Sequence, residues 1–261
     1  MSEKISQDEK LKMIRHSMAH VMAEAVLEMF PTAQIAIGPA IENGFYYDFE
    51  LPRNLTPEDL DTITQKMKDI IAQNKEFKRI EVTRAQAAEM FKDQKFKLEL
   101  LEAIPEGETV TVYNQGNFTD LCRGPHVAST KELRADSFKL LNIAGAYWRG
   151  DEHNQMLTRI YGTAFTNPKD LRAYLQYLED VEKRDHRRLG KELDLFSLHE
   201  EAGPGLVYWH PRGARVRQLI ENFWREEHYK NGYEMVYTPH VGKSWLWETS
   251  GHLGFYKDSM Y

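Results

Sequence analysis

From position 7 to 30 apolar residues recur at the spacing of a helix. Leu11, Ile14, Met18, Val21, Met22, Ala25 and Met29 make one stripe, and the pattern stops at Pro31. At about 100° per residue, His16 and His20 fall on the opposite side with Met13, Ala19, Ala23 and Leu27, while Lys and Glu keep to the flanks. A helix that is apolar on two faces is expected to be buried on both, which turns the two histidines into a cavity. The period then shortens. Ala33-Gln34-Ile35-Ala36-Ile37 reads as a strand ending at Gly38-Pro39, Glu42-Asn43-Gly44 is a hairpin signal, and Phe45-Tyr46-Tyr47-Asp48-Phe49 is the return strand. Thr56 as N-cap and Pro57 at the first helical position open a helix to about residue 74. A strand is expected at 77–82, and Thr83 with Gln86 forms a capping box for a helix through 91. A short helix at 97–104 ends at Pro105, and a strand at 109–113 delivers the chain to Cys122. Strands at 138–146 and 156–165 are joined across the polar segment 149–154.

The pattern changes character at Asn167-Pro168. Residues 169–192 are heavily charged, yet Leu171, Tyr174, Leu178, Val181 and Leu189 keep a helical stripe, and Arg184, His186, Arg187, Arg188 and Lys191 make a basic stretch. Mixed charge of this kind is ordinarily a solvated helix face. Here it predicts a helix that links two domains and is able to touch RNA phosphates. Gly203-Pro204-Gly205 marks a second joint. A helix at 212–230 carries Val216, Leu219, Ile220, Phe223 and Glu227 on one side; Gly232 ends it, and 233–237 is expected to be a strand stopping at Pro239.

A chain of 261 residues with 41% hydrophobic and 28% charged residues is globular and long enough for one large domain or two ordinary ones. Its formal net charge of −6 gives no support for indiscriminate nucleic-acid binding, so DNA is not an expected partner and any RNA contact must come from a local basic patch. A single cysteine rules out an internal disulfide framework and fits a reducing compartment. The polar segment 1–12 is no signal peptide, and no apolar run is long enough to span a membrane. A cytoplasmic protein with no membrane partner is expected.

The lone cysteine is also where the chemistry concentrates. In Thr119-Asp120-Leu121-Cys122-Arg123-Gly124-Pro125-His126 it stands four residues before His126, the same separation as between His16 and His20. Both imidazoles of a helical i, i+4 pair project from adjacent turns of one face. Three uses of the four side chains are open. They match a closed Cys-His₃ zinc site in kind. They could hold a water for hydrolysis with imidazole as general base, Asp120 orienting a ring. A Cys/His nucleophilic pair ranks lowest, because nothing near Cys122 resembles a nucleophile at a helix start.

These segments resemble the editing domain of bacterial-type threonyl-tRNA synthetases. The blocks that carry the resemblance are His16-Ser17-Met18-Ala19-His20, Gly44-Phe45-Tyr46-Tyr47-Asp48, Asp120 to His126, Gly145-Ala146-Tyr147-Trp148-Arg149-Gly150-Asp151 and Arg159-Ile160-Tyr161-Gly162-Thr163. Arg184-Asp185-His186-Arg187 and Gly190-Lys191-Glu192-Leu193-Asp194-Leu195 resemble the linker helix of the same family. Alanyl-tRNA synthetases carry a similar pair of motifs, but there the editing domain follows the synthetase core, whereas here the motifs precede it.

The resemblance implies an α+β chain. Residues 1–166 would be an editing domain of helices on an antiparallel sheet, 167–192 a linker helix, and 193–261 the start of an incomplete class II catalytic core. Motif 1, the dimer-forming element, would be the 212–230 helix with the strand ending at Pro239; Tyr208-Trp209-His210 and Trp247-Glu248-Thr249-Ser250-Gly251-His252 flank it. The implied activity is hydrolysis of mischarged Ser-tRNA(Thr), in a family that attaches threonine to tRNA(Thr) with ATP. His16, His20, Lys97, Asp120, Cys122 and His126 match the family's catalytic positions, and Tyr47 a position that binds the adenosine end. Lys97 would stabilise the oxyanion or the leaving ribose oxygen. No metal is expected for editing; if zinc binds, His16, His20, Cys122 and His126 would hold it, as in the alanyl relatives. ATP, Mg²⁺ and the family's catalytic zinc belong to motifs that would follow Tyr261, so the chain is not expected to form threonyl-adenylate. The implied partners are the aminoacylated end of tRNA(Thr) and a second copy through motif 1. The rival expectations are a zinc-dependent deacylase of the alanyl type and a non-catalytic tRNA-binding or dimerisation fragment.

Overall fold

The computed structural model describes residues 6–257 except Pro204, and divides into two compact units, 1–179 and 180–261. The first unit starts with α1 (Gln7–Met29). Ser6 accepts from Glu9 N while Glu9 accepts from Ser6 N, a capping box that begins the helix, and Phe30 ends it before Pro31. From Ile14 to Val26 every residue but His16 is buried, as a helix apolar on both faces requires. The buried set includes two charges. Glu24 meets Lys75 and Gln115, and Arg15 donates to the carbonyls of Ala164 and Glu42.

Next come β1 (Gln34–Ile35), β2 (Ala40–Ile41) and β3 (Gly44–Glu50), the last two closing the expected hairpin. Then follow α2 (Pro57–Ala72), β4 (Phe77–Val82), α3 (Arg84–Met90), α4 (Lys95–Glu102), β5 (Val110–Gln115), β6 (Phe118–Leu121), β7 (Phe138–Tyr147) and β8 (Met156–Ala164). One antiparallel sheet has the order β1-β3-β8-β7 with β2 on β3; the other is β4-β5-β6. Strand β6 was not anticipated. It returns from β5 across Gly116-Asn117 and sets Asp120 opposite Tyr113. The exposed turn between α4 and β5 contains Gly107, whose φ of +88° has open space where a Cβ would stand.

The main core cluster joins α1 and α2 to residues of both sheets. Met18, Met22 and Val26 of α1 and Ile63, Met67 and Ile70 of α2 pack with Phe45, Tyr47, Phe49 and Ile160 of one sheet and Phe77, Tyr113 and Phe118 of the other. Close approach is needed where Gly38 meets Tyr47: a Cβ on Gly38 would stand 2.0 Å from the ring. Between β3 and β8, Arg159 holds Asp48 by two hydrogen bonds of 2.6 and 2.8 Å and lies 3.8 Å from the Tyr46 ring centroid.

The expected helix over 169–192 is two helices, α5 (Pro168–Lys183) and α6 (His186–Glu192). Asp185 breaks it: its ψ of 123° is not helical, and its side chain caps α6 by accepting from Arg187 N at 2.8 Å. The second unit continues with β9 (Phe196–Leu198) and β10 (Val207–Trp209), an antiparallel pair, then α7 (Pro211–Lys230), α8 (Ser244–Thr249) and α9 (His252–Phe255). The expected strand at 233–237 is not formed; among the described residues no strand pairs with it. Pro204 of the expected joint and residues 1–5 of the polar N-terminal segment lie outside the described residues. No helix among the described residues is long and apolar enough to cross a membrane.

Candidate active site

Helix α1 supplies His16 and His20 one turn apart, with ring centroids 5.3 Å from each other. The other half comes from the chain leaving β6. Cys122 N donates to Thr111 O at 3.2 Å, and Thr111 Oγ1 donates to Cys122 O at 2.7 Å, so the exit stays anchored to β5. The chain then turns at Gly124, whose φ is +74° and where a Cβ would stand 2.3 Å from the Tyr113 hydroxyl. Only glycine fits both demands. The Gly124-Pro125 peptide is cis, and Pro125 O accepts from His16 Nδ1 at 3.2 Å. Cys122 Sγ thereby lies 3.4 Å from His16 Nε2 and 3.3 Å from His126 Nε2, and it accepts from Gly124 N at 3.2 Å. His126 stacks on His16 at 4.1 Å and on Phe77 at 5.1 Å.

Behind these four side chains sits a second group centred on Asp120. Alternation along β6 turns Phe118 and Asp120 inward. Tyr47 Oη donates to Asp120 Oδ2 at 2.6 Å, Lys97 Nζ donates to Tyr47 Oη at 2.9 Å and pairs with Asp120 Oδ1, and His20 Nε2 lies 3.4 Å from Asp120 Oδ2. Lys97 reaches this network from the first turn of α4 with only 2% of its surface exposed. The other nitrogen of His20, Nδ1, is buried without a hydrogen-bond partner among the described residues.

Burial decides the charge of the cluster. Desolvation holds His16 below the ordinary imidazole range and His20 well below it, with the neighbouring His16 and Lys97 adding to the effect on His20. Desolvation likewise lowers His126, helped by His20 and His16, and pushes the Cys122 thiol up to about 12. At neutral pH the site therefore holds three neutral imidazoles and a protonated thiol. A thiol in that state is a poor nucleophile, which weighs against a Cys/His nucleophilic pair.

Neutral imidazoles are bases and ligands, and the donor set suits both uses. The ligand atoms of His16, His20, Cys122 and His126 all lie within 4.8 Å of one another, a grouping that fits zinc in kind. The cluster brings together His16, His20, Lys97, Asp120, Cys122 and His126. Tyr47, expected to meet an adenosine, has no exposed surface; its hydroxyl is engaged by Asp120 and Lys97, so it supports the network from behind. Sequence reasoning missed Ser17. This buried serine accepts from Val127 N at 3.1 Å and contacts His126 Nδ1 at 3.0 Å. A serine inside a helix gives little signal of its own, since most such hydroxyls face solvent or the preceding turn.

Residues 110–161, a span that includes Asp120, Cys122 and His126, match the family described as the threonyl and alanyl tRNA synthetase second additional domain. Across all 261 residues the chain is 56% identical to a threonine–tRNA ligase of Borrelia turicatae and 57% identical to one of Borrelia duttonii. It is 55% identical to one of Borreliella burgdorferi. The matches cover 100% of this chain and 45% of each relative, so the chain spans a little under half the length of the curated relatives it matches. With more than half of its residues shared from one end to the other, the chain is similar along its whole length to a part of the threonine–tRNA ligases.

Proposed function

We propose that the chain carries an editing site that hydrolyses the seryl ester of mischarged tRNA(Thr). The observation that carries this reading is His20: one ring nitrogen faces Asp120, which also pairs with Lys97, and the other is buried with no hydrogen-bond partner among the described residues. A carboxylate behind a neutral imidazole is the arrangement of a general base. On this reading His20 Nδ1 takes a proton from water as the water oxygen bonds to the ester carbonyl carbon. The tetrahedral intermediate then expels the ribose oxygen, which recovers that proton from the imidazolium, leaving free serine and tRNA. Lys97 stabilises the charge that develops on the carbonyl or ribose oxygen, and Asp120 holds both His20 and Lys97.

The need for such a site is physical. Serine lacks only the methyl group of threonine, and one such group discriminates by about 1–3 kcal/mol, roughly 10–200-fold. A second site that accepts the smaller ester removes what the first admits. Within this reading 1–166 is the editing domain, 167–192 the connection, and 193–261 the beginning of a class II core whose α7 belongs to motif 1. The parent activity would be ATP-dependent attachment of threonine to tRNA(Thr) by a cytoplasmic homodimer. Deacylation of Ser-tRNA(Thr) compared with Thr-tRNA(Thr) tests it: the seryl ester should be cleaved and the threonyl ester largely spared. Equal rates, or none above background, would defeat it.

The Cys-His₃ grouping favours one alternative, a zinc-dependent deacylase. His16 Nε2, His126 Nε2 and Cys122 Sγ would hold the ion with a nitrogen of His20, and the ion would supply Lewis acidity. Editing without metal remains our reading. Near-stoichiometric zinc by elemental analysis, with activity lost on chelation and regained on adding zinc, would reverse it.

A further inference from the structure

We infer that Ser17 is a positioning residue that fixes the ring tautomer of His126, and that the cluster forms one directional hydrogen-bond chain from Val127 N to Pro125 O. The first link is a backbone N–H, which can only donate, and Val127 N donates to Ser17 Oγ at 3.1 Å. The last is a carbonyl, which can only accept, and Pro125 O lies 3.2 Å from His16 Nδ1. His16 therefore carries its proton on Nδ1 and keeps a lone pair on Nε2.

The links between follow from pairing every proton. Ser17 Oγ has one hydrogen, and His126 Nδ1 at 3.0 Å is its only other hydrogen-bond partner among the described residues. If His126 carried its proton on Nδ1, two donors would point at Ser17 Oγ and the buried serine hydrogen would have no acceptor. Ser17 therefore donates to His126 Nδ1, which places the His126 proton on Nε2. That N–H points to Cys122 Sγ at 3.3 Å, and the thiol hydrogen passes on to the His16 Nε2 lone pair at 3.4 Å.

This order divides the histidines by role. His126 offers an N–H toward the cluster and is a donor, not a base. His16 presents an acceptor already engaged by the thiol, and of these three rings only His20 has a nitrogen without a hydrogen-bond partner among the described residues. Zinc binding at His126 Nε2 would demand the opposite ring form, with Nδ1–H donating to Ser17.

Long-range ¹H–¹⁵N correlation spectra of the histidine rings, recorded on the labelled chain at neutral pH, test the assignment without a substrate. The expected result is Nε2–H at His126 and Nδ1–H at His16. Nδ1–H at His126 would overturn it. In Ser17→Ala the His126 ring should shift toward Nδ1–H, and kcat should fall roughly 10- to 100-fold with little change in KM, as when other partners that orient a histidine are removed. Ser17→Thr, which keeps the hydroxyl, should restore both. An unchanged ring form in folded Ser17→Ala would remove Ser17 from the role, and if that variant does not fold the wild-type spectrum still decides. The rate effect rests on the hydrolytic reading; the ring forms do not. The expected spectrum in a chain that hydrolyses neither ester would leave the tautomers standing and defeat the editing site.

Discussion

His16, His20 and His126 stay neutral where free histidine would already be protonated, and the direction of those shifts sets two pH dependences. A general base that resists protonation keeps working in mild acid. With His20 held well below the ordinary value of about 6.5, kcat/KM for seryl-ester hydrolysis should stay level down through that pH and fall only below it. A break at the ordinary imidazole value would show that the titrating base is elsewhere. Stability has the matching sign. Below about pH 6.5 the unfolded chain binds protons that the folded one refuses, so acid favours unfolding, by up to about 1.4 kcal/mol per pH unit for each buried ring. Urea titrations at neutral pH and at about 5.5 would measure it. Replacing His20 with alanine should slow hydrolysis by about 10²–10⁴-fold while leaving the Lys97–Asp120–Tyr47 contacts intact. At this scale the sequence was informative where chemistry is rare. A lone cysteine with a histidine four residues on, matched by a helical pair, is legible as a site. Lys97 and Tyr47 were identifiable only by resemblance, because a lysine near a helix start and an aromatic in a strand look ordinary. Ser17 and the buried Glu24 were missed because their partners lie more than 50 residues away.

Among the elements, the pairing of β3 with β8 stands out for its charge. Asp48 is almost fully buried and depends on Arg159, which is only partly exposed. Replacing Arg159 with leucine would leave a buried carboxylate unpaired, a loss of about 3–5 kcal/mol for fully enclosed pairs and nearer 2–3 kcal/mol for one that water reaches. Chemical denaturation of the variant measures this, and a change below half a kcal/mol would mean that Asp48 has another partner. Gly124→Ala should be worse tolerated than its size suggests, since φ of +74° and the Tyr113 hydroxyl both oppose a Cβ. Long periodic elements were readable in advance: α1, α2 and β4 fall within about two residues of where pattern and caps put them. Strand β6 carried a Gly-Asn turn signal, but it is short and half polar. The α5–α6 break falls in the charged stretch between Val181 and Leu189, where the apolar stripe has no member, and the capping use of Asp185 reveals it. At 233–237 the residues suit a strand, but a strand needs a neighbour to bond with, and pattern alone cannot supply one.

Taken as a whole, the chain is two units of unlike construction. The first buries a continuous core. From residue 180 onward, Gly190 and Gly213 alone among the described residues are buried, while Leu219, Ile220 and Phe223 of α7 are more than 60% exposed. A unit that encloses so little apolar surface has little to hold it closed. Hydrogen exchange should therefore give strong protection in α1, β3 and β8 and weak protection beyond residue 180, and brief trypsin treatment should leave a resistant product ending within 183–192. Equal protection in both units would contradict this. The first unit has a consequence of a different kind, because its cluster draws on both sides of the exposed turn at Gly107. A break there would leave His16, His20, Tyr47 and Lys97 on one polypeptide and Asp120, Cys122 and His126 on the other. Each piece alone would be silent, and ester cleavage on mixing them would report their association, which makes the site a built-in sensor for fragment complementation.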